Sequence, residues 1–185
     1  MERRPRYFSL SLDSLRAIAA WSADCADRAL PVFETRAGSD PRPRAAIEGS
    51  RVFARGGERV AHLRSLAMAT HAAARAQADP GAAAAARAAG LAAAVAFTHP
   101  LVDVHQTKHV VGAAAYAALA LELDRGGDRE VGDAMVRWAL EHAPAEAREV
   151  LGHMPPRADG RSRLERLCFA LDSGLRIGAG PHPPA

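Results

Sequence analysis

Three observations predict an all-α fold. From His62 to Glu122 the chain is so dense in alanine that only helices packed very close together account for it. Apolar residues outside that stretch recur at three- and four-residue spacing, the signature of a helix with one buried face. Start and stop signals punctuate the pattern: Asp40-Pro41 and Asp79-Pro80 open helices, and the glycine pairs 56–57 and 126–127 close them. The expected architecture is a single-domain bundle of about seven to nine closely packed, alanine-rich helices. Aromatic residues are only 5% of the chain. Each helix face therefore buries little area at roughly 25 cal/mol per Å², and dispersion at short interhelical distance has to carry more of the stability.

In chain order, residues 1–9 are a basic lead-in without a following apolar run. The helical domain is expected over 10–152, a linker over 153–161, a short amphipathic helix over 162–177 and a disordered tail over 178–185. Leu15, Ile18, Ala19, Ser22, Cys25, Ala26, Ala29, Val32 and Phe33 share one stripe of the first helix or helix pair. Pro31 sits late in that stripe, where it either kinks the helix or starts a new one. The next helix runs from the Asp40-Pro41 signal to about Arg55, with Ala45, Ile47, Val52 and Phe53 as apolar contacts.

A longer helix over about 58–78 presents Val60, Leu63, Leu66, Ala67, Thr70, Ala73 and Ala74 to the core. After Asp79-Pro80, Ala86, Gly90 and Ala94 form a ridge of small residues that lets a neighbouring backbone approach. Such an approach would offset the roughly 1 kcal/mol that glycine costs in a helix. Pro100 interrupts. The next helix covers 108–124 with Val110, Ala114, Ala117 and Leu121 on one face, and Asp128 caps another bearing Val131, Met135, Trp138 and His142. Pro144 ends that helix, and a short segment follows to about Leu151. The prolines and Asp-Gly of HMPPRADGR cannot continue a helix. Beyond them Ser162 and Glu165 form a capping-box pattern ahead of Leu164, Leu167, Cys168 and Leu171.

Composition narrows the function classes. The net charge is +3, and the basic residues are all arginine except Lys108, as a GC-rich genome would produce. Arg44, Arg51 and Arg55, on a stripe shared with Glu48, are the candidates for nucleic-acid contact. Scattered solvated arginines are the plainer reading. Cys25 and Cys168 match no metal or redox spacing and read as buried thiols. Arg87 interrupts the longest apolar run, so no membrane span is expected, and the protein is placed in the cytoplasm.

Candidate chemistry is sparse. His105 and His109 stand four apart, as in the zinc-protease motif, but Gln106 replaces the glutamate that motif uses as a base. A metal centre would need His99 or Asp103 as a further ligand, and the alternative is a polar turn. His71 and Arg75, also four apart, are either a solvated face or a polar patch for a partner. Nucleophile elbows, phosphate loops, dinucleotide fingerprints and paired Glu-x-x-His motifs are missing, which favours a binding role.

The runs WSADCADRALPVFE, DPRPRAAIEGSRVFARG, AMATHAAARAQADPGAAAAARAAGLAAAVAF and HVVGAAAYAALALE, with the late RWALEHAPAEAREVL, resemble the all-helical domain of the bacterial immunity-protein family called immunity five-like. The resemblance spans about 10–151 and leaves the chain after Met154 outside. Leu91 stands where a histidine often follows the family's glycine, and the connection HPLVDVHQT is longer than the family's. The resemblance implies a cytoplasmic protein that neutralises a cognate toxin by occluding its active site, with no catalysis and no cofactor of its own. A second copy of the chain is the other candidate partner. The residues expected to bear function are the few that break the alanine pattern: His71, Arg75, His105, His109 and Tyr116.

Overall fold

The computed structural model describes residues 5–59 and 61–177. Eight helices pack into one all-α unit: α1 (Leu12–Ala37), α2 (Arg42–Ala54), α3 (Ala61–Arg75), α4 (Pro80–Ala94), α5 (Thr107–Asp124), α6 (Arg129–Glu141), α7 (Ala145–Gly152) and α8 (Arg163–Ile177). Two single 3₁₀ turns, Val95–Phe97 and Val104–Gln106, flank the connection between α4 and α5. There is no strand among the described residues. The lead-in pairs with that connection at one isolated bridge, Tyr7 to Leu101, supported by Phe8 N–H to Pro100 O at 3.0 Å and Val102 N–H to Arg6 O at 2.8 Å.

The alanine helices form the centre. α4 is surrounded by α1, α2, α3 and α5, and α5 in turn touches α1, α6, α7 and α8. Eleven of the fifteen residues of α4 are buried, because alanine and glycine let neighbours crowd it on nearly every side. The stretch Pro80–Phe97 is long and apolar enough to cross a bilayer, so Arg87 alone does not disqualify it as expected. In this fold 72% of the stretch is buried, and its apolar surface is taken up by the surrounding helices.

Local signals set the helix starts. Ser11 Oγ accepts the Ser14 N–H at 2.9 Å, Asp79 Oδ1 that of Ala82 at 2.7 Å and Asp128 Oδ1 that of Glu130 at 3.0 Å. Before α2, Asp40 Oδ1 accepts the Arg42 N–H at 3.1 Å, and the same carboxylate grips the Arg42 guanidinium. The capping box of α8 is complete: Ser162 Oγ accepts from Glu165 N–H at 3.2 Å while Glu165 Oε2 accepts from Ser162 N–H at 2.9 Å.

The predicted stripe of α1 is buried throughout, from Leu15 to Phe33. Pro31 neither ends this helix nor starts another. It sits on the exposed side of one 26-residue helix, where its ring meets no packed neighbour helix. Polar ties then fix the packing. Trp21 Nε1–H donates to Ala139 O at 3.0 Å, linking α1 to α6. The buried Ser50 hydroxyl lies 3.1 Å from Ala19 O and 3.0 Å from Ala92 O, so one proton is shared between α1 and α4. Arg36 joins the end of α1 to Asp79 at 3.3 Å and to Asp124 at 2.7 Å.

Several expected contacts fall elsewhere. Val52 is 53% exposed, and α2 buries Ala46 and Ser50 beside Ile47 and Phe53 instead. α3 is shorter than expected; it buries Leu63, Ala67, Thr70, Ala73 and Ala74 and leaves Leu66 half-buried, while Val60 lies outside the described residues. The buried face of α6 is Gly132, Met135, Val136 and Ala139, one position round from the expected one, which leaves His142 exposed. The expected tail at 178–185 also lies outside the described residues. Residues 153–161 have no regular structure yet are tied down: Met154 is buried and the Arg157 N–H donates to Asp172 Oδ2 at 3.1 Å.

Candidate functional site

At Gly90 the small-residue ridge of α4 makes room for a side chain. A Cβ at Gly90 would sit 2.8 Å from Cε1 and 3.0 Å from Nδ1 of His71, so the bare glycine is what admits the imidazole. One helix further on, Gly112 of α5 receives Leu91, whose Cδ1 would lie 3.0 Å from an added Cβ. These two approaches open one side of the alanine core into a cleft of about 460 Å³.

α3 contributes His71 to the cleft, α4 contributes Arg87, Leu91 and Ala94, and α5 contributes Lys108, His109, Gly112 and Tyr116. The connection after α7 adds Arg157, and α8 adds Leu164, Glu165 and Cys168. Helical register explains the grouping, since 87, 91 and 94 share a face of α4 as 108, 109, 112 and 116 share a face of α5. The Arg87 guanidinium lies 5.8 Å from the Tyr116 ring centroid. Arg157 Nη1–H donates to Thr107 Oγ1 at 2.8 Å, which positions it over the start of α5.

Burial and cationic neighbours keep both imidazoles neutral at pH 7. Burial first, then Arg75 and Arg87, pulls the His71 pKa below its ordinary value. The His109 ring is pulled down to about 4 by burial, with Lys108 and His99 adding to the shift. Cys168 is pushed up by burial, so its sulfur is held as the thiol rather than the nucleophilic thiolate. Glu165 is kept ionised by the Ser162 backbone and hydroxyl, which hold one of its oxygens. Two buried nitrogens of the lining, His109 Nδ1 and Arg157 Nε, have no hydrogen-bond partner among the described residues.

Of the residues singled out by sequence, His71, His109 and Tyr116 meet in this cleft. Arg75 and His105 are exposed and line no part of it. The alternative metal set does not assemble: His99 and His105 are exposed, Asp103 spends its carboxylate on the His105 N–H at 2.8 Å, and no three His, Cys, Asp or Glu side chains converge on a metal position among the described residues. The arginine stripe on α2 is largely paired. Arg44 is gripped by Glu34 through two bonds of 2.8 Å, and Arg51 by Glu48 at 2.8 Å, Asp27 at 3.1 Å and Asp24 at 3.4 Å. Pairing leaves Arg55 alone of the three free of acidic partners among the described residues, a poor footprint for a phosphate backbone.

The chain matches a family described as Imm-5 like putative immunity protein, over residues 9–146. It belongs to that family. The match takes in α1 to α6 and the first residues of α7, ending a little before the limit of 151 expected from sequence. Immunity-family residues therefore supply His71, Arg87, Leu91, Lys108, His109 and Tyr116, while Arg157, Leu164, Glu165 and Cys168 come from the segment beyond. No curated protein and no solved structure matches the chain.

Arg87 is legible as a polar break in an apolar run and Lys108 as the one lysine at a helix start, but their spacing to Leu91, Gly112 and Tyr116 becomes a face only once α4 and α5 are set side by side. Arg157 and the α8 residues carry no local signal for the cleft at all. Their placement depends on contacts across more than forty residues of chain, such as Arg157 to Thr107.

Proposed function

We propose that this protein acts in the cytoplasm as an immunity protein: it binds a toxin encoded by the same bacterium and blocks it by occupying its surface, without catalysis. The observation that carries this reading is the family match across 9–146, which includes α1 to α6. The chemistry of the cleft supports binding over turnover. Burial holds its thiol protonated and a helix cap occupies its carboxylate, so neither is presented as a ready nucleophile. What remains is a concave surface with an apolar floor and a cationic rim, suited to holding part of another molecule.

Co-expression tests the reading. Each toxin gene of the same genome is induced with and without this protein, and growth is followed. Rescue from one toxin is expected; failure to rescue from any of them removes the immunity role and leaves the fold untouched.

A further inference from the structure

We infer that the cleft between α4, α5 and α8 is the docking point for an acidic side chain of the partner protein, seated with a neighbouring apolar residue against Leu91 and Leu164. The inference rests on the reading that the partner is a protein, and it adds which surface is used and what chemistry is recognised.

Three observations converge on it. The rim holds three permanent cations, Arg87, Lys108 and Arg157, against one carboxylate, Glu165, which is already committed to its helix cap. Neither Arg87 nor Lys108 has an ion-pair partner among the described residues; Arg55 also lacks one but stands outside the cleft, whereas here the unpaired cations gather on one rim. Unpaired cations gathered on the rim of a concave surface with apolar walls focus a positive potential into it.

The second observation is the pair of unsatisfied nitrogens. Buried polar atoms in folded proteins nearly all have a partner, yet His109 Nδ1 and Arg157 Nε lack one and both residues line this same cleft. Both nitrogens are closed to solvent in the unbound chain, and a carboxylate seated at the rim offers acceptor oxygens to the guanidinium N–H and to an imidazole protonated on Nδ1 once these side chains turn toward it.

The third is shape. The floor is apolar, made by Leu91, Ala94, Gly112, Leu164 and Cys168, with Leu91 packed into the space that the missing side chain at Gly112 leaves. An acidic residue brings methylenes that fit this floor and a head group that reaches the rim. A volume of about 460 Å³ has room for that side chain and one apolar neighbour.

The test uses the full chain and two capped hexapeptides, one carrying two glutamates and two leucines and the other with glutamines in place of the glutamates, together with glutarate as a free small anion. Binding is followed by the imidazole resonances of His71 and His109. The glutamate peptide is expected to move both signals saturably, and the glutamine peptide and glutarate are expected to leave them in place. The double variant R87E/K108E, altered at two exposed positions, should bind the glutamate peptide at least about tenfold more weakly, while R55E, altered outside the cleft, should bind like the wild type. Absence of any His109 response to the glutamate peptide overturns the inference, as does an equal response in R87E/K108E. Glutarate binding as tightly as the peptide would make the cleft a small-anion site and also overturn it.

Neutralisation assays separate this inference from the function it rests on. If the wild type neutralises a toxin and R87E/K108E does so equally well, the cleft assignment fails and the immunity reading stands. If no toxin is neutralised but the glutamate peptide binds the cleft, the immunity reading fails and the acid-recognising surface stands.

Discussion

Replacing Arg163 by alanine should loosen α8 and show how the segment beyond the family match is held on. Glu122, on α5, is 4% exposed, and Arg163 Nε–H reaches its Oε2 at 2.8 Å. The same guanidinium donates to Asp133 Oδ1 at 2.6 Å and to Arg129 O at 3.2 Å, so one side chain joins α5, α6 and α8. Removing it strands a carboxylate that folding has already taken out of water. Breaking a buried pair typically costs 3–5 kcal/mol; because the Arg163 side chain is 22% exposed and water can enter the vacated space, the lower end, about 3 kcal/mol, is expected. In a protein of this size that corresponds to a fall in Tm of roughly 6–12 °C. The assay is urea unfolding of the wild type, R163A, E122Q and R163A/E122Q. E122Q removes the charge and should recover much of the loss in the double variant, giving a coupling energy of about 2 kcal/mol. A loss below about 1 kcal/mol in R163A, or simple additivity in the double variant, would refute the claim that this pair clips α8 to the bundle.

Gly90→Ala separates helix stability from cleft geometry. Alanine gains about 1 kcal/mol of helix propensity, but its Cβ would stand 2.8 Å from His71 Cε1, and the half-buried imidazole should swing outward rather than let the helices part. The expected result is stability within about 1 kcal/mol of wild type and a His71 titration midpoint moved up toward that of a free imidazole. An unchanged midpoint in the NMR titration would contradict the contact. His109 gives a pH dependence of known sign. Its folded pKa, about 4, lies below the unfolded value near 6.5, so the unfolded chain binds the extra proton between them. The stabilisation from keeping this ring neutral is therefore full above about pH 6.5 and is lost as pH falls toward 4. With partial solvent screening the loss should be about 1–2 kcal/mol. Denaturant unfolding across that range should show a steeper acid loss in the wild type than in H109Q, and equal slopes would show that the ring is not buried as described.

Much of the fold was readable because its signals are local. The Ser162–Glu165 capping box, the Asp79-Pro80 start and the α1 stripe each depend on residues within a few positions of one another, and the structure realises them where the spacing says. Periodicity placed the α6 face one position off, because Val131 and Trp138 are apolar enough to pass for core while Gly132, which packs against Glu122, offers no apolar side chain to the pattern. Val52 misled in the same way, being apolar on a face that solvent reaches. The ridge at Gly90 was legible as a close approach, but what approaches it is the ring of His71, on a different helix, and nothing local to Gly90 names that ring. In the sequence Arg87 shows only as a break in a hydrophobic run, since its place in the cleft depends on Tyr116 and Lys108 lying across a helix interface. Of the twelve residues lining the cleft, His71, His109 and Tyr116 stand out in the sequence as exceptions to alanine, and the α8 side requires the tertiary structure.

The central claim, that this chain is a stoichiometric binder rather than an enzyme, is tested most directly by titrating purified protein into an in vitro assay of a toxin from which it rescues growth. Inhibition should rise linearly and saturate at one equivalent, with an isolable complex of the two intact chains. Complete inactivation by a small fraction of an equivalent, or inactivation that persists after the protein is removed, would mark turnover and contradict the account.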